Sequence, residues 1–306
     1  MNGMNGIINV LKPPGMTSHD VVSFMRKVLN TKKVGHTGTL DPEAAGVLPI
    51  CIGKATKVVQ YITDKQKRYR ANIKFGIVTD TYDSYGKIIS ESGQVSIEQK
   101  MLEEVLKSFT GTINQKPPIY SALKVKGKKL YEYAREGKEV EIEERPVNIY
   151  ELKLVDMEAA DEATIDILCS KGTYIRTLCY DIGEALDCGA YMSQLVRLES
   201  SPFTIENSNT LEEIKSAAEE NRIDDIMNGV EIIFKDYKVI TIKPSALSSI
   251  MNGNPLFEQG VQQGFEKLNA DDNASIYGED GFIGIGVVRY EEAGQRLYIK
   301  IKNIFI

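Results

Sequence analysis

Asp41 stands in the turn "GHTGTLDPEAAG", where glycines, threonines and a proline precede an apolar run. A carboxylate so placed can work as a nucleophile or base when it is shielded from water yet kept ionised by a cation. Desolvation alone raises its pKa until it takes up a proton. Arg176, in "KGTYIRTL", suits that task because a guanidinium is planar and always charged. Tyr69 offers a ring able to floor a pocket and stack on a planar base, a contact worth roughly 1–3 kcal/mol per base. His36, five residues before Asp41, offers a second flat side chain able to stack or intercalate. Read singly, each has a plainer role: turn former, surface ion pair, core tyrosine and hydrogen-bonded loop histidine.

The elements that must position these residues follow from local patterns. "GIINVLKPPG" predicts a short buried strand broken by Pro-Pro-Gly, and Thr17 with Asp20 opens a helix striped by Val21, Val22, Met25, Val28 and Leu29, ending at Asn30. From Arg68 to Ile77 the chain alternates strictly. Tyr69, Ala71, Ile73, Phe75 and Ile77 share one face, and Arg68, Arg70, Asn72 and Lys74 form a basic outer row. "SIEQKMLEEVLKSFTG" predicts a helix with a Ser96–Gln99 capping box and a stop at Gly111. Residues 117–137 mix lysines, tyrosines and glycine and predict an extended hairpin or loop followed by a short helix. That makeup suits RNA, since cations neutralise phosphate and rings stack on bases. "ATIDILCSKGTYIRTLCYDIGEALDCG" predicts strand, turn and helix, and a further helix is expected around 210–227. Beyond about residue 236 come short strand-like pieces, "KVITI", "GFIGIGVV" and "RLYIKIK".

At 306 residues with 42% hydrophobic content the chain is long enough for two domains. No stretch approaches the ~20 apolar residues of a membrane span, and "MNGMNGIINVLKPPG" has no charged leader followed by a long apolar run, so a cytoplasmic protein is expected. Cys51, Cys169, Cys179 and Cys188 are scattered without a Cys-x-x-Cys pair, which argues for small buried thiols and against a metal site. Net charge is −6, yet residues 1–76 carry 12 basic and 4 acidic side chains against 25 and 39 in the remainder. An acidic protein can therefore still offer a basic face to a polyanion such as RNA. "GKAT" at 53–56 is no phosphate loop, because Ala55 replaces the needed hydroxyl and the glycine spacing is wrong. Neither a Gly-x-Ser-x-Gly elbow nor a dinucleotide fingerprint is present.

In chain order, "LKPPGMTSHDVV", "KKVGHTGTLDPEAAGVLPICIGKATK", "KRYRANIKFG", "TDTYDSYG", "PPIYSALKVKGKKLYEYAREG" and "CSKGTYIRTL" closely resemble the successive motifs of the TruB-type tRNA pseudouridine-55 synthases, over roughly residues 5–205. The resemblance implies an α/β (α+β) fold: a mixed, largely antiparallel sheet with flanking helices in a catalytic domain at 1–235, an RNA-gripping insertion at about 112–147, and a mostly β PUA-like domain at 236–306. It implies isomerisation of a uridine in the T-arm of tRNA, flipped out of its loop, by a monomer needing no cofactor, metal or membrane. By motif position Asp41 matches the catalytic aspartate, which attacks the ribose or abstracts its 2′ proton. Arg176 matches the arginine paired with it, and Tyr69 the tyrosine stacked on the target base. Tyr174 and Leu195 match pocket residues, and His36 the histidine that fills the space the base vacates. Lys12 matches a supporting lysine in the substrate-binding set. The acidic segment "EKLNADDNASIYGEDG" departs from what phosphate contact favours.

Two other readings stand beside this one. A related synthase would act on another RNA, and a noncatalytic RNA-folding factor would keep its cellular role without Asp41.

Overall fold

Tyr69, Ala71, Ile73 and Phe75 point into the core and Arg68, Arg70, Asn72 and Lys74 point out, a period of two that makes Lys67–Phe75 a central strand. The structure is a computed structural model describing residues 4–292 and 294–306; the first three residues of the N-terminal stretch noted above lie outside the described residues. In chain order the elements are β1 (Gly6–Lys12), α1 (Ser18–Val28), β2 (Val34–His36), β3 (Ala45–Ile52), α2 (Val59–Thr63), β4 (Lys67–Phe75), β5 (Ile77–Thr79), β6 (Ile88–Glu91), α3 (Gln99–Ser108) and β7 (Gly111–Gln115). They continue with β8 (Lys124–Val125), β9 (Lys128–Lys129), α4 (Leu130–Arg135), β10 (Arg145–Ala159), β11 (Glu162–Cys169), α5 (Ile175–Ala185), β12 (Ala190–Ser200), β13 (Phe203–Thr204) and α6 (Leu211–Glu219). The last are β14 (Lys238–Ile242), α7 (Leu247–Met251), β15 (Leu256–Phe257), β16 (Val261–Gln263), β17 (Asn273–Gly278), β18 (Gly281–Glu291) and β19 (Arg296–Ile304).

The first sheet runs β1-β3-β12-β4-β11-β10-β7, with β2 added to β3 and β13 to β12. Its pairs are antiparallel except β12 against β3. One apolar layer packs α3 and α5 on β4, β10 and β11 through Leu102, Leu106, Leu178 and Ile182. Another packs α1 and α6 on β1 and β3 through Val21, Met25 and Ile214. The second sheet, β15-β19-β18-β17-β14-β16, is joined to the first by a shared cluster in which Phe234 lies 5.2 Å from Tyr61, 6.0 Å from Phe282 and 5.9 Å from Phe305. Asn303 Nδ2 also donates to the Tyr61 hydroxyl at 2.7 Å. This mixed α/β architecture with a mostly β C-terminal unit is the expected fold class.

Several local expectations are corrected. The alternating strand stops at Phe75, because Gly76 takes φ +86° and turns Ile77 into a separate two-stranded ribbon with β6. The Ser96–Gln99 box does not form: the N-cap is Glu98, and Gln99, already helical, donates instead to Glu103. The helix near 210–227 ends at Glu219; Thr210 and Glu213 cap its start, and Asn221 in a left-handed conformation follows its end. The basic outer row of β4 is neutralised within the sheet, with Arg68 on Glu151, Arg70 on Asp166, and Lys74 on Asp161 and Glu162. Neighbouring strands and the turn between β10 and β11 bring an acid to each cation, so this row is no free polyanion surface. All four cysteines are buried free thiols, as expected.

Candidate active site

Asp41 follows β2 in a turn fastened from several sides. Ser18 accepts the Leu40 N–H at 2.9 Å, Gly15 donates to the Pro42 carbonyl at 3.0 Å, and Ala44 donates to the Asp41 carbonyl at 3.1 Å. Lys12 is wholly buried beneath it, and its ammonium donates to the carbonyls of Pro13, Met16 and Pro42. Where β3 leaves the turn, Gly46 has φ +110° and its α-carbon faces Arg197; a Cβ there would lie 2.2 Å from the Arg197 carbonyl oxygen. Only glycine permits that close parallel approach of β3 and β12.

Arg176 is one residue into α5 and 5% exposed. Its Nε lies 2.9 Å from Asp41 Oδ2. Its remaining nitrogens meet the Thr81 carbonyl at 3.2 Å, Asp83 Oδ2 at 3.4 Å and the Tyr120 carbonyl at 3.0 Å. One guanidinium thus ties together the Asp41 turn, the segment after β5 and the start of the 117–137 excursion. The Arg176 contact uses Oδ2 of Asp41, and the side chain is 41% exposed. Part of the carboxylate therefore remains available to a ligand.

Asp41, Tyr69, Tyr174, Arg176 and Leu195 line one cleft of about 450 Å³, with Thr37, Lys67 and Tyr120 among its other walls. This is within the size range of small-ligand sites. Tyr69 packs on the main core, and burial pushes its phenol upward against the opposing effect of Arg197. Tyr174 caps α5, and its backbone is gripped by Gln115 of β7: the Tyr174 N–H donates to Oε1 at 2.8 Å and Nε2 donates to the Tyr174 carbonyl at 3.0 Å. Desolvation raises the Asp41 pKa above its ordinary value, Arg176 opposes it, and Asp83 reinforces the rise.

Two of the residues expected from sequence stand outside the cleft. Lys12 is beneath the turn, where burial lowers it to about 8, so at neutral pH it is still an ammonium with three donors for three carbonyls. His36 ends β2 opposite Ile50, and its Nδ1 accepts the Gly38 N–H at 3.3 Å; burial lowers its pKa, while its chain neighbour Thr37 lines the cleft. Replacing Lys12 by Met should leave those carbonyls unpaired, cost about 1–3 kcal/mol in a thermal or urea melt, and slow catalysis by up to about 100-fold as the Asp41 turn shifts. A variant with wild-type rate and stability would contradict the bracing role.

Sequence reading missed Asp83, Lys67, Arg197 and Gln115. Arg197 is buried, donating from Nε to the Val47 carbonyl at 2.7 Å, and Lys67 is buried with its ammonium on the carbonyls of Ile62, Thr63 and Lys65. The signal for Arg197 was its two-residue spacing from Leu195 on one strand, and for Asp83 its place in "TDTYDSYG". Among the described residues no group of His, Cys, Asp and Glu is placed to hold a metal ion, and no helix is long and apolar enough to cross a membrane.

Comparison with known proteins agrees in sequence and in shape. Residues 26–175 match the N-terminal domain of the TruB family of pseudouridylate synthases, and residues 176–235 match the tRNA pseudouridylate synthase B C-terminal domain. The chain is 48% identical over 301 residues to the tRNA pseudouridine synthase B of Alkaliphilus oremlandii, covering 98% of each chain. It is 50% identical to that of Caldanaerobacter subterraneus subsp. tengcongensis, over 94% of this chain and 97% of the relative. Among solved structures, an H/ACA RNP bound to a substrate RNA containing 2′-deoxyuridine includes a similar chain, with TM-score 0.74, 26% identity and 98% of this chain against 85% of that one covered. A Cbf5-Nop10-Gar1 complex gives TM-score 0.73 at 28% identity, with the same coverage of both chains.

Proposed function

The chain belongs to the TruB family of pseudouridylate synthases, and from that premise we propose how its own residues convert the T-loop uridine of tRNA, position 55, to pseudouridine. The N1–C1′ bond breaks, the uracil turns over, and C5 is joined to C1′ while its hydrogen leaves as a proton and N1 gains one. The product is an isomer, so the balance calls for no co-reactant. The observation that carries this reading is the Asp41–Arg176 pair at 2.9 Å on the wall of a cleft that also holds Tyr69, Tyr174 and Leu195.

In this reading the Asp41 carboxylate acts on the ribose, as nucleophile at C1′ or as base toward the 2′ proton, through the oxygen that does not face Arg176. Arg176 keeps the carboxylate ionised in a site whose desolvation favours the acid. Tyr69 stacks on the flipped base, Tyr174 and Leu195 close its pocket, and Lys12 holds the turn from below. His36, beside the lining residue Thr37, fills the space left in the loop. The insertion at 112–147 grips RNA, the units 1–235 and 236–306 act as catalytic and PUA-like domains, and the protein works as a cytoplasmic monomer. Incubating an unmodified tRNA transcript with the protein and mapping pseudouridine by carbodiimide adducts tests the function: a reverse-transcription stop at the T-loop uridine is expected. A stop elsewhere, or none on tRNA that is demonstrably bound, would turn the assignment to another RNA or to a noncatalytic role.

RNA affinity should come from cations left free of acids. Arg26, Lys27, Lys32 and Lys33 are exposed near the C-terminal end of α1 and before β2, and Lys126 sits at the β8–β9 turn, whereas Lys128 is paired with Glu136. Replacing Lys32 and Lys33 by Gln should reduce the slope of log K against log salt by about one for each phosphate no longer neutralised, while Arg70→Gln should leave the slope unchanged. Equal slopes in all three proteins would remove that patch from the RNA surface.

A further inference from the structure

Arg176 and Tyr180 are four residues apart on α5, so their side chains leave the same helix face. The segment Thr81–Asp83 lies along that face residue by residue. The Thr81 carbonyl accepts from Arg176 at 3.2 Å, and the Asp83 carboxylate meets the same nitrogen at 3.4 Å. Between them, the ring of Tyr82 stacks on Tyr180 with centroids 4.2 Å and planes 18° apart. Tyr82 has φ +61°, a left-handed conformation that residues with a Cβ adopt only at a cost and that persists where surroundings hold it. An extended backbone would send the Tyr82 and Asp83 side chains to opposite faces; the left-handed residue lets both meet α5. The Tyr82 carbonyl then accepts the Met192 N–H at 3.0 Å, fastening the turn to β12.

Resting on the reading that Asp41 and Arg176 carry the chemistry, we propose that the Tyr82–Tyr180 stack is a positioning device. It holds the left-handed turn on α5 and so fixes the guanidinium that orients Asp41. Neither tyrosine is among the residues lining the cleft, so both act through Arg176 rather than on the substrate.

The test measures single-turnover pseudouridine formation and tRNA affinity for Tyr82→Phe, Tyr82→Gly, Tyr180→Ala and the Gly/Ala double variant. Glycine relieves the backbone cost while deleting the ring, which separates strain from stacking. Tyr82→Phe should stay within about twofold of wild type. Tyr82→Gly and Tyr180→Ala should each slow the chemical step by about 10- to 100-fold, with affinity within about twofold, and the double variant should be no slower than the slower single one. Wild-type rates in both singles, or rate and affinity falling together, would overturn the proposal. Should Tyr180→Ala not fold, Tyr180→Leu keeps an apolar cover without the stack and is read the same way. Asp41→Asn in the same series separates the two readings: turnover by that variant would sink the assignment of the chemistry, whereas its inactivity beside a full-speed Tyr82→Gly would sink only the positioning device.

Discussion

Asp41→Asn should lower single-turnover pseudouridine formation by about 10⁴-fold or more, equivalent to about 5.4 kcal/mol of barrier, while tRNA affinity stays within about tenfold. Asparagine has nearly the shape of aspartate and leaves the turn intact, since Ser18, Gly15, Ala44 and Lys12 fasten its backbone and an amide oxygen can still accept from Arg176. What it lacks is the charge and the basic oxygen that either route at the ribose requires. In the proposed reading, binding rests largely on phosphate contacts elsewhere. Rapid-quench kinetics and filter binding on one preparation separate the two quantities.

Arg176→Ala should be the second largest loss, at about 10²- to 10³-fold in rate together with about 3–5 kcal/mol of stability, because it strands Asp41 and Asp83 beside a void that had held the cation they share. Arg176→Lys should rescue little. An ammonium on a flexible stem cannot meet two carboxylates and two carbonyls arranged around a planar fork. The pH dependence has a definite sign. In the proposed mechanism Asp41 must be ionised to act, and its pKa already stands above the ordinary 3.8 through desolvation, with Arg176 and Lys12 lowering it and Asp83 raising it. The wild-type rate should therefore fall on acidification at a pH above 3.8. In Arg176→Lys, with a poorer cation, the limb should move higher still. A limb that moves downward would contradict the electrostatic role given to Arg176.

Much of this architecture follows from local rules. The Thr17–Asp20 box and its apolar stripe give α1, the two-residue alternation gives β4, and the Lys-Gly step at 126–127 turns β8 into β9. What local rules do not contain is which distant segments meet. Asp41 and Arg176 are brought together by the β3–β12 parallel contact and the course of α5, and nothing near either residue announces the other. Lys12, Lys67 and Arg197 look like surface cations by residue type, yet all three are buried, because the fold brings backbone carbonyls to them. The basic row on β4 misled for the same reason, since its acidic partners arrive from β10 and β11. Asp83 escaped notice because its direction depends on the left-handed Tyr82 beside it.

The central claim is that Asp41 drives an isomerisation in which C5 of one tRNA uridine changes its bond from hydrogen to C1′. Tritium placed at C5 of the uridines in a tRNA transcript reports that bond directly. Wild-type protein should release to solvent the tritium of a single uridine per tRNA, and Asp41→Asn, at a concentration that saturates the RNA, should release none above background. Release by Asp41→Asn at the wild-type rate, or none from wild type on bound tRNA, would contradict the account.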